Sequence, residues 1–565
     1  MNNKELYKGA EVVIKGLMDE GVNTIFGYPG GAIMPIYDAL YDFEDQVNHI
    51  LVRHEQGAIH AAQGYARSSG KTGVCFATSG PGATNLITGL ADAMIDSTPV
   101  VCITGQVDSS LLGTDAFQET DVIGISMPVT KWNIQVTRAE DIAPAIAKAF
   151  YIASKGRPGP VLIDITKDAQ FGKADYNYQK CTSIRSYWPM PKLDIGKVND
   201  ALGLIAQAKK PYLLVGQGII LSNAEKELIQ FVEKSGIPVA STLLGLGAIP
   251  ADHPLYVGYL GMHGNYAPNV LTNDCDVLIA VGMRFDDRVT GDVSRYAKQA
   301  KVIHVDIDKA ELNKIIKADV AIHGDAKKVL SALTESVVQS KYSLWLNQFH
   351  ELAKVEDDKI SKESKYPSEG NLRMSEVIHQ LSERSNGEAI VVTDVGQHQM
   401  VTSRYYGYRG HRSNITSGGL GTMGFSLPAA IGAKLGAPEK TVVAVIGDGG
   451  FQMTIQELGT ILQAKVDVKI LILNNNFLGM VRQWQQLFFD KRYASTEIQN
   501  PNFTKIAEGY GIDAFKIEES SELIQSIDRL LNSSDATLLE VVVEREDNVF
   551  PMIQTGAAVH EIRLN

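Results

Sequence analysis

The sequence predicts an α/β protein of three doubly wound parallel-sheet domains. Three observations carry that prediction. Short runs of β-branched and other apolar residues alternate with helix-length segments along nearly the whole chain. The runs are apolar at consecutive positions, as strands covered by helices on both faces must be. Many run into Gly, Asn or Asp, at the strand ends where such sheets bind ligands.

In chain order, the predicted strands of the first third are Val74–Thr78, Val100–Thr104 and Val161–Ile165. Tyr212–Val215, Val277–Val281 and Val302–Val305 follow in the middle, and Ile390–Thr393, Val442–Ile446, Ile470–Leu473 and Leu538–Val542 in the last third. The opening stretch from Met1 to Gly21 predicts an amphipathic helix, with its acids and lysines on one face. It has neither the apolar core of a signal peptide nor the Arg/Ser bias of a transit peptide, so a cytoplasmic protein is expected. Two stretches interrupt the alternation. Residues 170–193 are polar and aromatic with two prolines, and residues 355–371 are dense in Lys, Glu, Asp and Ser. Both read as surface linkers. They set expected domains at 1–170, 193–354 and 372–565.

The 565 residues are 44% apolar and 21% charged, which excludes collagen-like, disordered and disulfide-scaffold chains. The formal charge of −12 argues against a general nucleic-acid binder and leaves room only for a local basic patch. Four cysteines without CxxC spacing read as reduced, buried thiols. No apolar run reaches the ~18 residues of a membrane span.

The strongest chemical signal lies in the last third. The strand Thr441–Ile446 runs into Gly447-Asp448-Gly449-Gly450, a helix is predicted over Thr454–Ala464, and a second strand ends in Asn474-Asn475-Asn476. Asn475 follows Asp448 by 27 positions, the length of one strand–helix–strand unit that returns to the neighbouring loop. A carboxylate and an amide oxygen thus meet at one sheet edge, and both are hard ligands suited to Mg²⁺. Gly449 and Gly450 leave room for a diphosphate at the helix start. The alternative is a Gly-Asp-Gly turn beside an asparagine-rich loop with no ligand; the second strand and its spacing favour the cofactor.

This pattern resembles thiamin diphosphate enzymes, and longer strings narrow the likeness. They are FGYPGGA (Phe26–Ala32), RHEQGA (Arg53–Ala58), TSGPGATN (Thr78–Asn85), RPGP (Arg157–Pro160), RFDDRVTG (Arg284–Gly291), TSGGLGTMG (Thr416–Gly424) and MVRQW (Met480–Trp484). From about Gly9 to Asn548 the chain resembles the large catalytic subunit of acetohydroxyacid synthase, the biosynthetic acetolactate synthase family. The resemblance implies a thiamin diphosphate-binding fold with a central FAD-binding domain. Its first domain would hold the pyrimidine end of thiamin diphosphate, its third the diphosphate and Mg²⁺.

The resemblance assigns Glu55 to the pyrimidine nitrogen, where a carboxylic acid favours the tautomer that removes the thiazolium proton. From the residues alone, a loop glutamate paired with Arg53 or His54 is the favoured reading of Glu55. The same resemblance places Gly31, Phe117, Gln118 and Lys131 at the catalytic site. It places Tyr28, Pro29, Thr78, Asn85, Val395, Gly396, Gln397, His398, Gly421, Gly447, Gly479 and Met480 around thiamin diphosphate. Met423 would prop the cofactor's two rings into a bent shape, and Phe477 joins Asp448 and Asn475 at the metal. Plain core packing for Met423 and a solvated loop for Gln397 and His398 are the other readings. In the middle domain, Gly216 and Gly218 follow a strand, a weak signal alone. The resemblance adds them to an FAD site with Arg157, Thr242, Leu243, Met262, His263, Gly282, Arg284, Asp286, Asp306 and Asp325.

The implied reaction joins two 2-oxo acids. Pyruvate loses CO₂, and the two-carbon unit left attacks the keto carbon of a second pyruvate or of 2-oxobutyrate. The activity is that of a transferase in branched-chain amino-acid (isoleucine and valine) biosynthesis. Arg288 would clamp the second acid's carboxylate. Trp484 would pack on the extra methyl of 2-oxobutyrate, where one methylene is worth roughly 1–3 kcal/mol. A surface salt bridge and a core aromatic are their plainer readings. The reaction moves no net electrons, so the flavin would be structural. The family further implies a homodimer or tetramer with active sites at the dimer interface, and a small regulatory subunit. The tail from Thr555 to Asn565 is only loosely family-like and carries no assignment. The rivals are an FAD-independent catabolic acetolactate synthase, pyruvate oxidase and a non-catalytic scaffold of the same fold.

Overall fold

The computed structural model describes residues 6–367 and 370–565. Three six-stranded sheets, each parallel throughout, follow one another along the chain. From edge to edge the first runs Asn48–Leu51, Thr24–Gly27, Gly73–Ala77, Val100–Gln106, Pro160–Thr166 and Trp132–Val136. The third runs Asn414–Thr416, Ile390–Thr393, Val442–Gly447, Lys469–Asn474, Thr537–Val542 and Asp513–Ile517. With strands counted in chain order inside each sheet, both read 2-1-3-4-6-5. The middle sheet runs Tyr256–Tyr259, Val239–Ser241, Pro211–Val215, Val277–Val281, Lys301–Asp306 and Val320–His323, which reads 3-2-1-4-5-6. That is the strand order of dinucleotide-binding folds. The common α/β rhythm therefore conceals two topologies, one used twice.

Each central strand feeds two cores, because successive side chains point to opposite faces. Val74 and Phe76 pack with Ile14 and Ile146, while Cys75 and Ala77 pack with Ile59 and Leu90. Leu213 and Val215 divide in the same way from Tyr212 and Leu214, and Val443 and Val445 from Ala444 and Ile446. All ten predicted runs are strands in these sheets.

The first and third domains pack directly on each other. The helix Glu55–Ser69 lies against the helix Ser426–Gly436 at backbone-contact distance. A methyl at Gly64 would overlap the Ala429 carbonyl, and one at Gly432 would overlap the Ala61 carbonyl.

Several elements differ from the sequence reading. The amphipathic N-terminal helix is Gly9–Asp19, preceded by a strand Leu6–Lys8 that pairs antiparallel with Lys173–Asp175; residues 1–5 lie outside the described residues. The stretch 355–371 is no loop over most of its length. Helix Ser343–Glu356 continues through a π-helical turn, Asp357–Ser361, to Lys365, and positions 368–369 lie outside the described residues. Dense Lys and Glu suit an exposed helix as well as a linker. The helix predicted over Thr454–Ala464 instead starts at Asp448, stops at Thr454 and resumes at Leu458, with a 3₁₀ turn Ile455–Glu457 between. No helix among the described residues is long and apolar enough to cross a membrane.

Candidate active site

In sheets that reverse their winding, ligands bind beyond the strand C-termini where the order switches. The switch lies between the first and third strands of the two outer sheets, and between the first and fourth of the middle sheet. The candidate residues fall at all three places.

In the first domain, the loop Tyr28–Ala32 and the segment Thr78–Asn85 leave the two switch-point strands, Thr24–Gly27 and Gly73–Ala77. Ala32 donates its N–H to the Thr78 hydroxyl at 3.3 Å. Gly30 lies so close that a methyl there would stand 2.5 Å from the Thr78 side chain, whereas Gly31 opens onto free space. Glu55, only 8% exposed, begins the helix capped by His54. Its Oε2 accepts from the Asn85 amide at 2.9 Å, and Gly82 leaves room for Oε1. Gln118, with φ of +59°, sits over Gly80, and Phe117 beside it is exposed. Glu119 clasps their loop by accepting the N–H groups of Gly113, Thr114 and Ala116.

The third domain gathers the second cluster. Gly447 and Val395 follow its two switch-point strands, and the helix Asp448–Thr454 begins at the glycine turn. Asp448 is buried, and its Oδ2 accepts from the Asn500 amide at 2.7 Å. Burial pushes its carboxyl up to about 6, against amide and backbone donors and no basic side chain. A buried carboxylate short of positive charge suits a divalent cation. Asn475 donates to Gln397 at 3.2 Å, while its Oδ1 accepts the Phe477 N–H. Gln397 is fixed in turn by Gln483 and the Asp547 carbonyl, both at 2.9 Å. Met423 approaches Gly449, and Gly421, with φ of +73°, lies against Val395. Gly479 opens the helix that carries Met480 and Trp484, and a methyl there would strike Gln397.

In the middle domain, Gly216, Gly218 and Gly282 meet at the switch point. Gly218 donates to the Gly282 carbonyl at 2.9 Å, and a side chain on any of the three would strike another's backbone. Thr242 and Leu243 follow the next strand, with Thr242 N–H on the Val215 carbonyl at 2.9 Å. His263 is buried with neither ring nitrogen in a well-formed hydrogen bond, although the Pro551 backbone lies beside it. Asp306, buried and pushed up to about 6 by desolvation, receives the Asp308 N–H. Arg157 reaches this domain as an ion pair with Glu311 at 2.9 Å. Asp286 and Asp325 cap short and long helices, at Asp287–Thr290 and Ala326–Ser336. Arg284 is half-buried beside Asp286. Arg288 is exposed, with its guanidinium near the Met262 sulfur at 3.6 Å.

Not every expected residue joins these clusters. Lys131 turns inward: its ammonium bonds the carbonyls of Ile152, Lys155 and Arg157 and the Tyr187 hydroxyl, and burial draws it down to about 8. Among the described residues, no hydrogen bond joins Glu55, Thr78 or Asn85 to the Asp448 cluster. The tail from Thr555 packs on the middle domain, where Asp292 donates its N–H to the Ala557 carbonyl at 3.0 Å and Arg295 pairs with Glu561 at 2.6 Å, and the segment just before it bridges two parts of the site. Ile553 N–H bonds the Met262 carbonyl at 2.8 Å, and Gln483, next to Trp484, donates to the Val549 carbonyl at 3.2 Å. Residues 549–553 thus join the Trp484 helix to the Arg288 loop. Asn500 lies outside the motifs, 52 positions after Asp448, and no local signal marks it.

Comparison with known proteins gives three family matches in chain order. Residues 7–125 match the N-terminal TPP binding domain of thiamine pyrophosphate enzymes, 198–333 the central domain and 394–541 the C-terminal TPP binding domain. The acetolactate synthase isozyme 2 large subunit of Escherichia coli is 47% identical over 98% of this chain and 99% of its own length. A probable acetolactate synthase large subunit of Methanocaldococcus jannaschii is 44% identical over 98% of this chain and 95% of its own length. The acetolactate synthase large subunit of Lactococcus lactis is 44% identical over 97% and 94%.

Proposed function

The chain belongs to the acetolactate synthase large subunits of the thiamine pyrophosphate enzyme family, and from that premise we infer that it condenses pyruvate with a second 2-oxo acid. The product from two pyruvates is 2-acetolactate; with 2-oxobutyrate as acceptor it is 2-aceto-2-hydroxybutyrate. The observation that carries this reading is a pair of buried carboxylates at the strand C-termini of two sheets with one strand order: Asp448 directly follows the third strand of its sheet, and Glu55, after the second strand of its own, bonds Asn85 beyond the third.

Thiamin diphosphate, when bound, supplies the electron sink that decarboxylation of a 2-oxo acid needs. The residues do the rest. Glu55, steadied by Asn85, holds a proton at the pyrimidine. Asp448 and Asn475, with the Phe477 backbone, hold Mg²⁺ through oxygen atoms. Gly449, Gly450, Gln397 and His398 receive the diphosphate at the helix start. Met423 would support the cofactor's rings, and Phe117 and Gln118 would shape the entrance. Arg288 binds the acceptor's carboxylate, and Trp484 selects for its alkyl group.

The middle sheet supports a dinucleotide such as FAD. Its strand order is the dinucleotide-binding one, its switch point is glycine-lined, and His263 waits nearby with unformed hydrogen bonds. No electron transfer is required, so the flavin acts as a structural element. That no hydrogen bond among the described residues joins the Glu55 cluster to the Asp448 cluster supports a homodimer in which each site takes its glutamate from one chain and its metal from the other. The name "large subunit" carried by the relatives supports a small regulatory partner. The setting we favour is the cytoplasm.

The deciding experiment measures 2-acetolactate from pyruvate by purified protein with thiamin diphosphate, Mg²⁺ and FAD, each omitted in turn. A requirement for all three is expected. Indifference to FAD would move the reading to the catabolic synthase, oxygen uptake to pyruvate oxidase, and no product at all would overturn it. Glu55→Gln is expected to lower turnover by about 10²-fold or more.

A further inference from the structure

One carboxylate outside the assigned set touches three parts of the diphosphate half-site. Asp394 is fully buried at the end of the strand Ile390–Thr393. Its Oδ1 meets His398 Nε2 at 2.5 Å, and its Oδ2 accepts the Gly424 N–H at 2.7 Å. Gly450, on the Asp448 helix, admits the carboxylate, since a methyl there would overlap Oδ2.

We propose that Asp394 is a positioning residue that fixes His398 as a donor toward the anion bound at the Gly447 turn. A carboxylate accepts hydrogen bonds and cannot donate one, so the proton on Nε2 belongs to the bond with Asp394. That leaves Nδ1 as the ring's outward edge, and its surroundings show where it points. Methyl groups at Gly396 and Gly447 would each stand 2.9 Å from Nδ1. Both glycines border the turn where the Asp448 helix starts, and backbone N–H groups there favour an anion. An anion at Nδ1 needs a proton on that nitrogen too. The ring thus lies between the Asp394 carboxylate and the anion, each the partner of one ring nitrogen. The second oxygen ties the same carboxylate to the peptide after Met423. Asp394 thereby sets the ring-supporting residue and the diphosphate-binding residue in one fixed relation.

The inference rests on the assignment of thiamin diphosphate to this half-site, and its test separates the two. Binding of thiamin diphosphate with Mg²⁺ to cofactor-stripped protein is measured calorimetrically for the unaltered chain, Asp394→Asn, His398→Asn and the double variant. Failure of the unaltered chain to bind would overturn the cofactor assignment and this inference with it. If it binds, Asp394→Asn is expected to weaken binding about 10-fold or more, the scale seen when a partner that orients a ligand residue is lost. The KM for pyruvate at saturating cofactor should move less than about twofold, because only cofactor binding has lost its support. Because Asp394 acts through His398, the double variant should bind about as weakly as the weaker single one. Multiplicative losses, or unchanged binding by Asp394→Asn, would refute the role. Should that variant fail to fold by circular dichroism, Asp394→Ser removes the carboxylate with a smaller side chain and is held to the same outcomes.

Discussion

Glu457 is a fully buried carboxylate whose oxygens accept the Arg53 N–H at 3.2 and 3.3 Å and the Thr460 hydroxyl at 2.6 Å. It enters because Gly57 has no side chain in its way. Burial pushes it from 4.5 to about 7. A carboxyl raised on folding contributes stability that is complete below its unfolded value and is lost as pH climbs through the folded one. The window is therefore 4.5 to about 7. Glu457→Gln removes that loss, so its urea midpoint should fall less between about pH 5 and pH 8 than that of the unaltered chain, by up to about 3 kcal/mol. Parallel pH profiles would refute the assignment. Trp484 is argued at the same scale. It is half-buried against Phe488 at 5.0 Å, and the proposed function assigns its indole to the acceptor's alkyl group. Trp484→Leu should keep acetolactate synthesis while losing about 10-fold or more of the preference for 2-oxobutyrate in a competition assay. An unchanged product ratio counts against that role. The sequence made Asp448 and Asn475 legible because one strand–helix–strand unit sets their spacing. Asn500 and Glu457 were not legible, since they meet Asp448 and Arg53 only after the chain folds, and Asp394, though four residues before His398, pairs with it across a strand-to-helix turn that no motif marks.

Helices and strands show the same division. The predicted strands are those covered on both faces, where every position is apolar. Most of the missed ones, such as Trp132–Val136, Tyr256–Tyr259, Asn414–Thr416 and Asp513–Ile517, are sheet edges, short or half-exposed, while Thr24–Gly27 and Val239–Ser241 are interior but only four and three residues long, so none offers a long unbroken apolar run. The break at Ile455–Glu457 was invisible because its cause, the buried Glu457 contacts, lies in another domain. Helix packing gives a test that propensity alone would get backwards. Gly432 lies inside Ser426–Gly436, where alanine favours the helix by about 1 kcal/mol, yet a methyl there overlaps the Ala61 carbonyl. Backbone cannot move aside as a flexible side chain can, so Gly432→Ala should destabilise by about 1–3 kcal/mol. Gly203, in Ile195–Gln207, has nothing within 4 Å of the added methyl. Gly203→Ala should stabilise by about 0.5–1 kcal/mol. Paired thermal unfolding curves with shifts of equal sign would sink the packing argument.

At the scale of the whole chain, buried polar contacts tie the first domain to the third. Asp96 accepts the Gly418 and Gly419 N–H groups at 2.8 and 2.7 Å and an ion pair from Arg67 at 2.9 Å. Asp92 accepts the hydroxyls of Ser417 and Thr422. With the close helix pair beside them, these buried bonds fix how the first domain packs on the third, and the proposed homodimer then draws Glu55 and Asp448 of one site from different chains. Tyr28, Phe117, Leu420, Met453 and Val481 are exposed apolar residues near the candidate clusters, and the proposed homodimer would cover surface of this kind. The consequence is complementation. Glu55→Gln alone and Asp448→Asn alone should each be nearly inactive, since every site in either homodimer carries one defect. Unfolded, mixed and refolded in equal amounts, half of the dimers are hybrids, and each hybrid has one site that takes intact Glu55 from one chain and intact Asp448 from the other. Acetolactate synthesis should return to about a quarter of the unaltered level and fall on dilution as dimers separate. A site contained in one chain predicts no recovery at all, because neither chain holds both groups intact.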